Sequence, residues 1–293
     1  MITRRALLGL AAGSGLATAS YAFGVEPGFR LTVKTHRVKP HGWPRGAKLR
    51  IVAVADPHMG EPHMSLSRLE AIVDRANSLS ADLIVLLGDY EAGHQFVSRK
   101  VSLFDTALVL SRLQAPLGVH AILGNHDWWH DAPAQARGAG PTETHLAFTA
   151  AGMPVMENKA IRIEDGPVPF WLLGLGDQLA FPGRGWDRAG VDDLPGTLAQ
   201  ISDDAPVLLL AHEPDIFPQV PDRVALTLSG HTHGGQVRLF GFSPLVPSRF
   251  GNRFAYGHVR EGKRDIVISG GLGCSIMPVR LGVPPEITVI DLS

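Results

Sequence analysis

One cysteine, Cys274, stands in 293 residues, so no disulfide can form within the chain. Exported proteins of modest size often draw stability from disulfides, whereas a chain that folds before crossing a membrane does not depend on them. Charge of either sign is not in surplus. The 27 Lys and Arg against 28 Asp and Glu leave a formal net charge of -1, which argues against the broad basic surface that grips nucleic acid. No acidic residue precedes Glu26. No internal repeat and no long low-complexity linker divides the chain. Hydrophobic residues make up 45% of it, enough for one well-packed core. Cys274 itself fits a small buried hydrophobe in a Gly-rich turn.

The amino terminus has the make-up of a targeting segment. Arg4 and Arg5 follow Thr3, and an uncharged stretch runs from Ala6 to Phe23. A charged start, an apolar middle and small residues toward its end make a secretory signal. The triplets Ala17-Thr18-Ala19 and Ser20-Tyr21-Ala22 offer two cleavage positions. Gly, Ala, Ser and Thr keep the middle weakly apolar, and the paired arginines resemble the twin-arginine motif. Residues 1–27 are therefore expected to engage the twin-arginine translocase and take the protein to the periplasm or cell envelope, cleaved or loosely anchored. An uncleaved anchor is the other reading, since the stretch is barely long enough to span a bilayer. Residues 28–293 are expected to form a single domain.

From Leu49 onward, short apolar runs alternate with helical periodicity. Leu49–Ala55, Asp82–Leu87 and Gly118–Leu123 fit strands, and Ser65–Leu79 and Val101–Leu113 fit helices. This rhythm predicts an α/β fold with a largely parallel inner sheet and right-handed crossovers. A helix over Thr142–Ala151 follows. Further strands are expected near Met153–Met156, Ala160–Ile163, Phe170–Gly174, Pro206–Leu210, Val224–Ser229, Ile266–Ser269 and Ile287–Leu292. Residues 130–141 and 180–196 have the composition of surface loops.

Each principal apolar run is followed at once by residues of metal-ligand type. These are Asp56-Pro57-His58, Gly88-Asp89, Gly124-Asn125-His126-Asp127, Ala211-His212 and Gly230-His231-Thr232-His233. In an open α/β sheet the carboxyl ends of the strands share one crevice, so these side chains should converge. A lone Asp after a strand is ordinarily a helix cap, and a lone His ordinarily sits in the core or at the surface. Five such sites, all at strand ends, point instead to a metal centre. Carboxylates, imidazoles and an Asn carbonyl suit Mn, Fe or Zn better than a thiolate-type site does. Extended backbone would point Asp56 and His58, and likewise His231 and His233, the same way, so that each pair grips one centre.

Taken together, these motifs resemble the signature of the calcineurin-like metallophosphoesterases, from about residue 48 to the carboxyl end. The stretches Gly230–Gln236 and Pro278–Glu286 look like the bacterial YaeI-like phosphodiesterase branch, some of whose members carry twin-arginine signals. The resemblance implies a four-layer α/β/β/α sandwich with the site at one edge of its two sheets. It implies one divalent ion on Asp56, His58, Asp89 and His233 and a second on Asp89, Asn125, His212 and His231, with Asp89 shared. His126 would contact the phosphate and donate a proton to the leaving oxygen, with Asp127 orienting its ring. The activity implied is phosphoester hydrolysis by a metal-activated hydroxide, phosphodiesters being favoured, at the cell envelope. A pyrophosphatase acting on a nucleotide-linked lipid precursor such as UDP-diacylglucosamine is the second enzymatic reading. A non-catalytic, metal-containing envelope protein adhering to wall polymer is the alternative of another class, and the His126-Asp127 pair speaks against it.

Around these motifs, Trp128 and Trp129 fit either the walls of a cleft or simple packing. Arg280 is expected to be solvated, contact with a phosphate oxygen being its second reading. His63, His94 and His130 are expected at the surface without a role. Leu239–Phe242 and Leu245–Val246 are expected in the core, with a lipid-facing lip and peripheral membrane contact as the alternative. Tyr90-Glu91-Ala92 stands where many relatives have a second Asp, a departure expected to bear on substrate preference.

Overall fold

The computed structural model describes residues 3–181, 183 and 189–293. In chain order its strands are β1 (Thr32–Val38), β2 (Leu49–Val54), β3 (Gly60–Glu61), β4 (Leu83–Leu86), β5 (Arg99–Lys100), β6 (Val119–Ala121) and β7 (Lys159–Ile163). They continue with β8 (Phe170–Gly174), β9 (Val207–Leu210), β10 (Leu226–Ser229), β11 (Gly257–Glu261), β12 (Arg264–Ile268) and β13 (Glu286–Leu292). One sheet has the order β1-β13-β2-β4-β6 and the other β11-β12-β10-β9-β8-β7, while β3 and β5 form a small ribbon. β2, β4 and β6 run parallel, as do β8, β9, β10 and β12, and antiparallel pairs occur toward the margins.

The period-two alternation of the central strands divides their side chains between two cores. In β2, Ile51 and Ala53 face the second sheet while Val52 and Val54 face the helices. In β4, Leu83 and Val85 point inward while Ile84 and Leu86 point to the helices. β9 does the same on the other side, with Leu208 and Leu210 between the sheets and Val207 and Leu209 outward. The helices Leu66–Asn77, Leu103–Leu110 and Glu143–Ala150 cover the first sheet, burying among others Leu69, Ile72, Val73, Ala107, Leu110 and Phe148. The second sheet is covered more thinly, by the short helix Leu194–Leu198 and the 3-10 segments Pro214–Gln219 and Gly251–Phe254. Three apolar cores between four layers give the α/β/β/α sandwich.

Several elements differ from expectation. Strands β1 and β11 lie beyond the sequence prediction, because each is a partly polar edge strand without a clean apolar alternation. Met153–Met156 is not a strand; its one ladder contact is the bridge of Val155 to Ala121. Residues 130–141 are not wholly loop, since Ala132–Arg137 is helical, capped by Asp131. The expected loop 180–196 lies partly outside the described residues. The apolar loop residues expected in the core at Leu239, Phe240, Phe242 and Leu245 are exposed instead.

The amino-terminal segment is helical from Arg4 to Ser20, passes through the π-turn Tyr21–Val25 and ends in Glu26–Phe29. Its far end stands clear of the body, whereas Ala22, Glu26 and Pro27 are buried against it. The Arg280 amide donates to Ala22 O (2.9 Å), His63 Nε2 to Phe23 O (2.9 Å) and Arg68 Nη1 to Pro27 O (2.6 Å). His63 is thus a partly buried fastener rather than a roleless surface residue.

The inter-sheet core holds the two sheets in register, so a void in it loosens both. Leu208→Ala is expected to cost about 2–5 kcal/mol, read as a lower urea midpoint with the slope unchanged.

Candidate metal centre

β2, β4 and β6 are neighbours in one sheet and β9 and β10 in the other, and the segments leaving their carboxyl ends meet at one edge of the sandwich. Backbone bonds tie these segments together: the Asp56 amide donates to Gly88 O and the Gly230 amide to His212 O, each at 3.0 Å. Between the sheets, the His231 amide donates to Asp56 Oδ1 at 2.8 Å. The chain turns sharply at the candidate ligands. Asp56 (φ 50°), His58 (43°), Asp89 (59°), His231 (68°) and His233 (52°) all occupy the left-handed region that residues with a Cβ seldom adopt. The two motifs of one-residue spacing therefore converge through left-handed turns, not through the extended backbone the sequence suggested. Each such residue costs on the order of 1 kcal/mol, and strain of this kind gathers where function needs a particular geometry. Gly88 (φ 95°) makes the crowding possible, since a Cβ there would lie 2.5 Å from Gly124 N and 2.8 Å from His212 Nδ1.

Two donor groups result. Atoms of Asp56, His58, Asp89 and His233 lie within 4.8 Å of one another, as do atoms of Asp89, His212 and His231. Asp89 belongs to both. Its Oδ1 accepts from the His126 amide (2.8 Å), while its Oδ2 faces His212 Nε2 at 3.3 Å and His58 Nε2 at 3.5 Å. His58 Nδ1 donates to Glu91 O (3.1 Å) and His212 Nδ1 to Leu87 O (2.6 Å). These carbonyls engage each Nδ1 and turn each Nε2 toward Asp89, the orientation of metal-binding histidines generally. Asn125 joins the second group through Oδ1, 2.8 Å from His231 Nδ1. Asp56 Oδ2 and His212 Nε2 are buried without a hydrogen-bond partner among the described residues. A buried carboxylate oxygen and an imidazole nitrogen left without hydrogen-bond partners and aimed at one small volume fit a bound divalent cation, which on His212 would take the place of a proton.

The electrostatics agree. Burial opposes ionisation of Asp89, but His212, His126 and His58 outweigh it and hold the carboxyl well below the usual range. Burial, with Asp89 adding to it, pushes Asp56 up to about 7 against the pull of His212. Burial lowers His58 to about 4, and lowers His231 and, strongly, His233, so these rings are neutral as metal ligation requires. His212 differs: burial would lower it, but Asp89 raises it well above the ordinary value. A carboxyl that resists ionising and an imidazole that holds its proton both mark a pocket short of positive charge.

His126 borders this cluster. Its ring lies edge-on to His58 at 4.7 Å between centroids, and its Nε2 is 3.1 Å from Ser275 Oγ. Asp127 does not orient that ring. Its oxygens accept from the amides of Asp89 (2.9 Å), Tyr90 (3.0 Å) and Gly124 (2.9 Å), so it fastens two ligand-bearing loops to each other. Trp128 is core, packed edge-on against Phe181, whereas Trp129 stands 5.1 Å from the His126 ring and donates from Nε1 to Leu179 O. Tyr90 is also core, its hydroxyl donating to Ile122 O (3.0 Å), so the departure at that position is one of packing. His130, expected to have no role, is partly buried and lies 5.0 Å from the His126 ring. His94 is partly buried too, with its ring 6.1 Å from Phe96.

Arg280 corrects the expectation of a solvated side chain. It is wholly buried, donating from Nε to Gly273 O (2.9 Å) and from Nη1 to Val283 O (2.9 Å), with Nη2 3.1 Å from His233 Nδ1. Sequence reasoning also passed over Ser275, Asp177 and Glu213. Burial and the neighbouring Glu213 push the Asp177 carboxyl well above its usual value, so it keeps a proton beside His212. Glu213 directly follows His212 at a buried strand end, a signal that was available; Ser275 and Asp177 carry no comparable mark.

Comparison with known proteins agrees with this geometry. Residues 49–235 match the calcineurin-like phosphoesterase family. Over 310 residues the chain is 31% identical to a protein of Escherichia coli named phosphodiesterase YaeI, covering 100% of both chains. Over 290 residues it is 31% identical to the uncharacterized metallophosphoesterase YkuE of Bacillus subtilis, covering 97% of this chain and 91% of that one. A Danio rerio protein named transmembrane protein with metallophosphoesterase domain is 30% identical over 256 residues, 83% of this chain and 53% of its own. With an Asp/His cluster able to hold two metal ions at the edge of its sandwich, the chain belongs to the calcineurin-like metallophosphoesterases, hydrolases of phosphoric esters.

Proposed function

We propose that the protein is a two-metal phosphodiesterase of the cell envelope. Asp56, His58, Asp89 and His233 hold one divalent ion, Asp89, Asn125, His212 and His231 hold the other, and His126 is the general acid. The observation that carries this reading is the convergence of two donor groups on the single carboxylate of Asp89. Full-length similarity to a protein named a phosphodiesterase favours diesters. When bound, two ions of Mn, Fe or Zn neutralise phosphate oxygens and lower the pKa of a bound water.

The remaining steps fall to the chain. Carbonyls of Glu91 and Leu87 keep the Nε2 atoms of His58 and His212 turned inward. Arg280 braces His233 from behind. His126 presents Nε2 beside Ser275. A phosphate anion arriving there favours its protonated form, which burial otherwise disfavours, so substrate binding itself charges the acid that protonates the leaving oxygen.

Asp89→Asn is expected to lose both metal and turnover. His126→Ala should lower kcat by about 10²–10⁴-fold with metal content unchanged. Paired aryl phosphate monoester and diester substrates, with manganese restored after chelation, read turnover, and elemental analysis after dialysis reads metal content. Metal loss on His126→Ala would make it a ligand, and bound metal without turnover on either ester would favour a non-catalytic binder or a pyrophosphatase.

Protons compete with the ions for the same lone pairs. Burial sets Asp56 at about 7 and His58 at about 4, and protonation of either removes a donor. Metal per chain should therefore fall as pH drops from about 8 to about 5 and recover on raising it, measured by elemental analysis after dialysis. Full retention at the acid end would take Asp56 out of the ligand set.

Export by the twin-arginine translocase is supported by Arg4-Arg5 and the weakly apolar helix behind them. Replacing both arginines with lysine should leave the protein in the cytoplasm on fractionation, and undiminished export would exclude that route.

A further inference from the structure

The turn that follows the His231-x-His233 segment ends in an apolar tip. Leu239 and Phe242 exchange backbone hydrogen bonds (2.9 and 3.0 Å) around Phe240 and Gly241, whose φ values of 53° and 82° are both left-handed. A two-residue turn of this kind prefers Asn-Gly, because a bulky side chain at its first position is strained. Here that position holds a phenylalanine 108% exposed, flanked by Phe242 at 61% and Leu245 at 71%. Ile276 (70%) and Met277 (43%) add to the same surface, because Gln236 Nε2 donates to Met277 O and Val279 O at 2.8 Å each. Among the described residues no packing contact covers this strained aromatic.

The other exit from this surface is the amino-terminal helix. The Arg238 amide donates to Leu281 O (2.8 Å), the Leu281 amide to Gln236 O (2.9 Å), and the adjacent Arg280 amide to Ala22 O (2.9 Å). The apolar turn, the 275–282 segment and the base of the helix are therefore one hydrogen-bonded unit. Among the described residues, Arg4–Phe29 is the helix long and apolar enough to cross a membrane, with 6% of its apolar window buried. The part free of the body, Arg4 to Tyr21 ahead of the buried Ala22, is about 27 Å long at about 1.5 Å per residue, close to the roughly 30 Å hydrocarbon core of a bilayer. Both candidate cleavage positions lie inside it, and the Ala22 carbonyl is engaged by the body.

We propose that Arg4–Phe29 is retained as a membrane anchor and that the Leu239–Leu245 turn, with Ile276 and Met277, docks on the bilayer surface beside it. The helix holds the protein at the bilayer, and the apolar lip, tied to the base of the helix through Arg280 while His63 and Arg68 fasten that base to the body, sets how the body sits on the surface. Exposed apolar residues elsewhere, such as Phe104 and Leu108 on one helix and Leu146 on another, sit on regular helices rather than on a strained turn hydrogen-bonded to the base of the amino-terminal helix. Ser275, next to Ile276, touches His126, so the lip borders the candidate centre. Resting on the phosphodiesterase reading, this seating gives the site access to phosphate esters lying at headgroup depth.

The test uses the full chain reconstituted into phosphatidylethanolamine–phosphatidylglycerol vesicles, with an environment-sensitive fluorophore on one introduced cysteine at a time. Native Cys274 is buried, and burial raises its thiol pKa, which keeps it unreactive. Labels at Leu10→Cys, Phe240→Cys, Leu245→Cys and Ile276→Cys should shift to the blue and be quenched by nitroxide-bearing lipid, while Leu146→Cys should not. Quenching at position 10 without quenching at 240, 245 and 276 would overturn the docking, as would a lip covered by a protein partner. No quenching at position 10 would overturn the anchor. The unsubstituted chain in the same vesicles is assayed on a water-soluble aryl phosphodiester with manganese. Turnover without quenching leaves the phosphodiesterase reading standing and removes the docking, and quenching without turnover does the reverse.

Discussion

The carboxylate of Asp89 is the constraint on which the arrangement of this molecule turns. It lies buried among His58, His126 and His212, and the attraction of His212 above all holds it ionised against the cost of leaving water. One oxygen is committed to the His126 amide and the other faces two imidazoles, so a single side chain joins both donor groups. Its backbone amide is in turn held by Asp127, on the short helix Asn125–Trp129 that follows β6. The left-handed turns at five candidate ligands and the absence of room for a Cβ at Gly88 are consequences of packing so many polar side chains around one anion.

That packing needs a stiff frame. Three apolar cores between four layers hold the strand ends in place, and central strands such as β2, β4, β8 and β9 contribute to two of them through simple alternation. Local strain on the order of a kcal/mol per residue persists only where the surroundings over-determine the backbone. Arg280 shows how far this goes: an arginine is buried whole so that its guanidinium can bind two carbonyls and brace His233. The same residue's amide holds the base of the amino-terminal helix, which joins the interior of the site to its outer rim.

Much of this was legible in order along the chain. Ligand-type residues directly after apolar runs announced both the strands and their convergence, because the parallel order of β2, β4 and β6 brings carboxyl ends together. Edge strands β1 and β11 were not legible, since half-exposed strands need no apolar alternation. Asp127 was placed in the right cluster with the wrong duty, because spacing shows that a carboxylate is near a histidine without showing which donors reach it. Leu239–Phe242 and Leu245–Val246 were expected in the core, with a lipid-facing lip as the alternative, and only the fold shows Leu239, Phe240, Phe242 and Leu245 exposed.

By itself, then, the sequence determined the α/β layering and the identity of the residues brought to one edge, since both follow from local periodicity and from where apolar runs stop. Tertiary structure decided the ring orientations of His58 and His212, the burial of Arg280, the approach of Ser275 to His126 and the exposure of Phe240. These depend on contacts between segments far apart in the chain, and burial and hydrogen bonding are properties of the neighbours a residue meets, not of the residue itself.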